Sequence, residues 1–243
     1  MYSTLHCVAL RTIRHDDRTS ILSAWSAERG RVAVAMPAGS GREAQRRRAL
    51  TMPLSLFEAV DVTRPGRELL QLRDIRPAAV TSSLRAHPVK TALALFIADV
   101  LDSVLRTSAP DGRLSDFLFG AVRALDATSD ANALANFHLW FLRALATLTG
   151  IAPDFGSWSP GAVFDMAEGL FRSTPPVHGR YLLPADALGV RLLGRLTLDN
   201  IRRVRLNRDT RRRLLDGTLD YFALHGALSG SGARSLDILK SLF

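Results

Sequence analysis

The stretch that decides the fold is Val8–Met36, VALRTIRHDDRTSILSAWSAERGRVAVAM. Three short runs in it, Val8–Ile13, Thr19–Trp25 and Arg31–Met36, are β-branched or alternate apolar with polar residues, the pattern of half-buried strands. They are parted by His15-Asp16-Asp17 and Glu28-Arg29-Gly30, clusters that favour turns.

Outward from this core, Leu54–Val62 and Leu69–Ile75 read as two further strands split by the turn Arg64-Pro65-Gly66. Five strands in about 75 residues is the strand count of a small closed barrel such as the OB-fold. Pro37–Thr51 is the longest connection and the most basic. Its Gly39 and Gly41 predict a mobile loop. After Pro77 the apolar period lengthens. Val89–Arg106, Leu114–Leu125 and Ala131–Leu148 carry helical stripes, with Asp111 and Asp130 placed as N-caps. Gly150 and Pro153 stop the third. The segment 155–181 is irregular, with a hairpin predicted over Val163–Phe171. Helices resume at Ala185–Leu193, Leu198–Leu206 and Asn207–Leu224, and Arg234–Phe243 forms a short amphipathic turn. The expected architecture is therefore α+β, a five-stranded OB-fold barrel over 1–79 followed by an all-helical domain over 80–243.

The chain has 243 residues, of which 47% are hydrophobic, so a folded core is expected rather than disorder. Cys7 is the single cysteine, which excludes an intramolecular disulfide and a multi-thiolate zinc site. The six histidines are scattered, so no metal and no cofactor are expected. Arg11, Arg14, Asp16 and Asp17 precede any apolar run, unlike a signal peptide. The longest stretch without a charged residue is Tyr221–Ala233, 13 residues, too short to cross a bilayer. A cytoplasmic protein with no membrane partner is expected.

The formal charge of +9 is concentrated. Residues 1–80 hold 13 basic and 8 acidic side chains, and residues 191–213 hold 9 arginines against Asp199 and Asp209. The rest of the chain is slightly acidic. In the first group Arg29 and Arg31 flank a turn, and Arg42, Arg46, Arg47 and Arg48 lie in the long connection. Adjacent arginines repel one another unless an anion joins them, so this group points to a nucleic-acid backbone. The second group is Arg202, Arg203, Arg205, Arg208, Arg211, Arg212 and Arg213. It reads as a second DNA-binding face, a dock for an acidic partner tail, or an ordinary basic helix surface. Trp25 and Phe57 sit in strand patterns and are expected in the core, so base stacking on the barrel is weak.

Catalytic constellations are absent from the sequence. Gly39-Ser40-Gly41 lacks the remainder of a P-loop, and neither HExxH nor GxSxG occurs. Asp16-Asp17 reads as a turn with Arg14 and Arg18 nearby, with a metal-dependent nuclease as the alternative. His138 lies in an apolar helix segment and reads as a core histidine. A non-enzymatic role is expected, either DNA binding or a protein-interaction scaffold with incidental DNA binding.

Several segments together resemble the bacterial RecO family of recombination mediators and DNA repair proteins. They are Leu10–Leu22, Glu28–Val32, Arg48–Pro53, Leu54–Val60, Leu95–Leu101, Ala135–Phe141, Leu219–His225 and Arg234–Phe243. The resemblance implies an N-terminal OB-fold, a C-terminal helical domain, and binding of single- and double-stranded DNA with annealing of complementary strands. It implies RecR and the tail of the single-stranded-DNA-binding protein (SSB) as partners, RecA indirectly, and a cytoplasmic, nucleoid-associated location. The family's basic barrel loop corresponds to Arg42, Arg46, Arg47 and Arg48. Many relatives carry a four-cysteine zinc site where this chain has Phe155–Tyr181, which holds no cysteine, so zinc does not carry over.

Overall fold

In the computed structural model the described residues are 3–228 and 235–242; Tyr2, Arg234 and Phe243 lie outside them. They form two compact units, one running to Ala127 with Ser235, the second from Thr128 with Leu236–Leu242.

The first unit begins with three antiparallel strands, β1 (Ser3–Arg14), β2 (Thr19–Ser26) and β3 (Gly30–Pro37). After a helix, α1 (Arg42–Leu50), come β4 (Leu56–Asp61) and β5 (Leu72–Pro77). The sheet order is β3-β2-β1-β4-β5. It closes on itself just before β5, where Leu70 exchanges backbone hydrogen bonds with Ala33 and Ala35 (2.8 and 2.9 Å) beside a parallel bridge to Val34. Closure removes the exposed edges and gives the expected five-stranded OB barrel. Leu5, Cys7, Leu22, Val34 and Phe57 fill its interior. Cys7 is buried there, and loss of hydration pushes its thiol up to about 12, so it packs as an unreactive apolar residue.

Each of the five strand readings has its counterpart, with β1 beginning earlier than expected and β5 later. The Pro37–Thr51 connection does not. Nine of its residues are helix α1, not a mobile loop. Only Ala44 and Leu50 of this helix are buried, so it has almost no apolar stripe to betray it. Its stability comes from other sources. Arginine has high helix propensity, Glu43 lies in the positive first turn, and Arg47 and Arg48 lie in the negative last turn.

Helices α2 (Ser82–Ala86), α3 (Pro88–Val104) and α4 (Gly112–Ala127) complete the first unit. Asp111 caps α4 by accepting from Leu114 N (3.0 Å). Trp25 Nε1 donates to Ser115 Oγ (3.0 Å), and Arg31 pairs with Asp102 at 2.5 Å. Gly30, at φ +71°, sits where a Cβ would lie 2.4 Å from Ser108 O and 2.7 Å from the Ala109 carbonyl carbon. Both the backbone angle and this close approach demand glycine. Gly30→Ala is expected to destabilise the fold by about 3 kcal/mol from combined strain and overpacking. The corresponding fall in thermal midpoint is about 6–12 °C. An unchanged melting curve would show that the Gly30 turn does not support the unit.

The second unit is built on α5 (Ala131–Leu148), which is buried on most of its circumference through Phe137, His138, Leu139, Trp140 and Phe141. Asp130 caps it, accepting from Ala133 N (2.8 Å). The expected hairpin is β6 (Val163–Asp165) with β7 (Leu170–Arg172). A two-residue third strand, β8 (Tyr181–Leu182), pairs with β6. Buried Asp165 organises this sheet. Burial would raise its carboxyl, but bonds from Glu168 N, Ala167 N and Arg172 Nε, with His178 at 3.2 Å, hold it below the usual range. Helices α6 (Pro184–Gly194), α7 (Arg208–Leu224) and α8 (Leu236–Leu242) follow.

The helix expected over Leu198–Leu206 is instead a series of turns. Its carbonyls are taken by side chains of α5. Asn132 donates to Arg202 O and Val204 O, and Asn136 donates to Ile201 O and Val204 O. Side-chain amide N–H groups from α5 here replace the intrahelical donors.

Candidate nucleic-acid interface

Helix α1 carries the first arginine group and presents two neighbouring stripes at i, i+3, i+4, i+7 spacing. Glu43, Arg46, Arg47 and Leu50 form one; Ala44, Arg47, Arg48 and Thr51 form the other. Each stripe walls a cleft, and Arg47 belongs to both.

The cleft on the Ala44 side, about 420 Å³, lies against the outer ends of β1–β3 and includes Thr12, Arg14, Ser20 and Met36. Arg14 pairs with Asp17 at 2.7 Å, and Arg48 donates to Gly39 O (2.8 Å). Asp16 accepts from Arg18 N and Thr19 N, both at 2.7 Å, the first of which holds its carboxyl below the ordinary value. The Asp16-Asp17 pair is thus a turn that closes β1 onto β2. Among the described residues no three His, Cys, Asp or Glu side chains converge as a metal site.

The cleft on the Glu43 side, about 640 Å³, is completed by Leu72–Arg76 of β5. Arg73 and Arg76, three residues apart, would face opposite ways on a regular strand. Here Arg76 lies opposite Glu58 and Arg73 opposite Val60, so β5 holds one extra residue, a bulge, between them. Asp74, in the left-handed region at φ +52°, accommodates it. The bulge restores parity, and both arginines share the outward face of Glu58 and Val60 while Leu72 and Ile75 pack on the core. Arg14, Arg73 and Arg76 did not figure among the sequence candidates. The signal available for them was only the presence of arginines near strand ends, spaced three apart and so out of step with a strand's alternation.

The other predicted members of the first group are engaged elsewhere. Arg29 pairs with buried Asp61 at 2.6 Å, and Arg31, mostly buried, with Asp102. Burial lowers the Arg31 pKa from its ordinary value, a change that its ion pair opposes. By contrast, Arg42 and Arg46 are exposed, and their side chains take no hydrogen bond or ion pair among the described residues. Arg47 reaches Glu43 only at 3.4 Å. Trp25 and Phe57 are fully buried, so the barrel offers no exposed Trp or Phe among the described residues.

In the second unit, Arg211 is buried. It donates to Asn136 Oδ1 (3.2 Å) and Leu206 O (2.9 Å). Arg208 donates to Ser241 O (3.1 Å), and Arg212 to Lys240 O, so two arginines of α7 satisfy terminal carbonyls of α8. Arg213 pairs with Asp186 at 3.2 Å. Arg202, Arg203 and Arg205 remain exposed on the turns. Elsewhere in this unit an apolar notch of about 40 Å³ is lined by Phe155, Phe164, Val190, Leu193 and Phe222. Arg143 borders it, with Nε buried and lacking a hydrogen-bond partner. Among the described residues no helix is long and apolar enough to cross a membrane.

Comparison with known proteins bears on this arrangement. The family model described as the recombination protein O C-terminal region matches residues 85–230. The DNA repair protein RecO of Porphyromonas gingivalis W83 is 32% identical over 240 residues, covering 97% of each chain. The protein of the same name from Phocaeicola vulgatus is 30% identical over 236 residues, again covering 97% of each.

Proposed function

The chain belongs to the RecO family of DNA repair proteins, and from that premise we propose that it is a non-catalytic recombination mediator. It binds single- and double-stranded DNA, anneals complementary strands and, with RecR, assists RecA onto strands coated by SSB. The observation that carries this reading is the gathering of Arg14, Arg46, Arg47, Arg48, Arg73 and Arg76 around one exposed helix. Guanidinium groups in open clefts neutralise phosphates and release condensed counterions, without reading sequence.

The tail of SSB, acidic with an apolar tip, has matching chemistry in the apolar notch beside Arg143. Arg202, Arg203 and Arg205 are a further basic surface of the same unit for DNA or a partner tail.

The first test is titration of a labelled oligonucleotide at physiological salt. Saturable binding whose affinity falls steeply with added salt is expected. A scaffold with incidental DNA contacts would give no saturation. Magnesium-dependent cleavage of the oligonucleotide would replace the mediator with a nuclease.

A further inference from the structure

Helix α1 separates two basic clefts of the same unit, and this division suggests more than a single backbone groove. We infer that α1 is a divider between two DNA strands, each held by its phosphates in one of the flanking clefts, with Arg47 shared between them. This inference rests on the DNA-binding reading above.

Four observations support it. The two stripes of α1 are offset by one residue and meet at Arg47, so one side chain borders both paths. Each cleft has its own further arginines, Arg14 and Arg48 on one side, Arg46, Arg73 and Arg76 on the other. The bulge at Asp74 is what puts Arg73 and Arg76 on one face, and bulges of this kind re-aim side chains at functional sites. The clefts do contain carboxylates, Asp17 in one and Glu43 and Asp74 in the other, and Arg76 lies 3.8 Å from Glu58 on β4, yet arginines outnumber the carboxylates in both. Asp17 is almost fully exposed, so its pair with Arg14 yields readily to a phosphate.

Size and chemistry fit annealing. A helix with side chains is about 10–12 Å across, and the major groove of B-DNA is about 12 Å wide. Strands flanking α1 can therefore pair and leave the helix lying along the groove of the product. Because Trp25 and Phe57 are buried in the barrel, the bases are not captured by stacking there and stay available to one another.

The experiment counts strands. Non-complementary oligothymidylate of about ten nucleotides, within the span of one OB-fold site, is titrated against the full chain at low salt. The wild type is expected to bind two strands. Arg14→Ala with Arg48→Ala, and separately Arg73→Ala with Arg76→Ala, are each expected to bind one. Either pair should slow annealing of complementary strands by at least about tenfold, since two phosphate contacts are lost. Arg47→Ala should weaken both strands. The four side chains of the two pairs are exposed, whereas Arg47 is half-buried, and the Gln versions of each pair should give the same counts at an unchanged melting temperature. One strand per wild-type chain, weakened alike by both pairs, would overturn the divider and leave a single channel. No binding of oligothymidylate by the wild type would instead overturn the DNA-binding reading itself.

Discussion

Replacing Arg46, Arg47 and Arg48 together with Ala is expected to weaken single-stranded DNA binding by about 100-fold at 0.1 M salt. Each phosphate contact on a single strand contributes about 0.7 to the slope of log affinity against log salt concentration. At 0.1 M that is about 1 kcal/mol per contact, and three contacts give about 3 kcal/mol. The salt slope should fall by about 2, and annealing should slow in parallel. The helix itself should survive. Ala has the highest helix propensity, and the residues that anchor α1, Ala44 and Leu50, are untouched. The lost Glu43–Arg47 pair and the Arg48 bond to Gly39 O are surface interactions that contribute little. Filter binding or fluorescence anisotropy across a salt series measures both quantities. If slope and annealing rate match the wild type, α1 is not the phosphate-binding element.

The second large effect concerns stability in acid. Burial within α5 pushes the His138 imidazole from its ordinary value of 6.5 down to about 3, and the positive charge of Arg211 acts in the same direction. The sign follows from which state binds the proton. Below about 6.5 the unfolded chain protonates this histidine while the folded chain keeps it neutral, so folding loses free energy as pH falls. The full contribution is present above 6.5 and is removed progressively down to about 3, at about 1.4 kcal/mol per pH unit. The whole interval amounts to about 5 kcal/mol. Asp165 adds a loss of the same sign only lower down, below the ordinary carboxylate range, because its folded pKa is depressed. Urea unfolding between pH 7 and 4.5 should therefore show a decline of about 3 kcal/mol in the wild type. In His138→Gln, which keeps a polar side chain but cannot titrate, most of that decline should vanish. Equal slopes in the two proteins would mean that His138 is protonated in the fold.

The two outcomes concern residues of different legibility. Strands β1–β3 were readable because one buried face and one wet face impose alternation on the sequence itself. Helices α3, α4 and α5 were readable for the corresponding reason at a period of 3.6. Helix α1 was not, since it buries only Ala44 and Leu50 and so leaves no apolar rhythm. Its signals were propensity and the placement of charge along the helix dipole, both weaker than the loop signature of Gly39 and Gly41. The segment Leu198–Leu206 erred in the opposite direction. Its leucines and arginines suit a helix, but Asn132 and Asn136, more than sixty residues away in sequence, take its carbonyls.

Charge shows the same division. That two stretches of this chain are strongly basic is a property of composition, and no folding can alter it. Which guanidinium groups remain free to meet a polyanion depends on distant partners. Asp61 engages Arg29, Asp102 engages Arg31, Asn136 engages Arg211, and the carbonyls of α8 engage Arg208 and Arg212. The converse holds for Arg73 and Arg76, which become neighbours of α1 only through one extra residue in β5. Local periodicity, turn chemistry and net charge are short-range properties, and the sequence alone determined them: the barrel strands, the main helices and the basic character. Pairing, burial and strand parity are relations between segments far apart in the chain, so only the tertiary structure decided which arginines line the clefts.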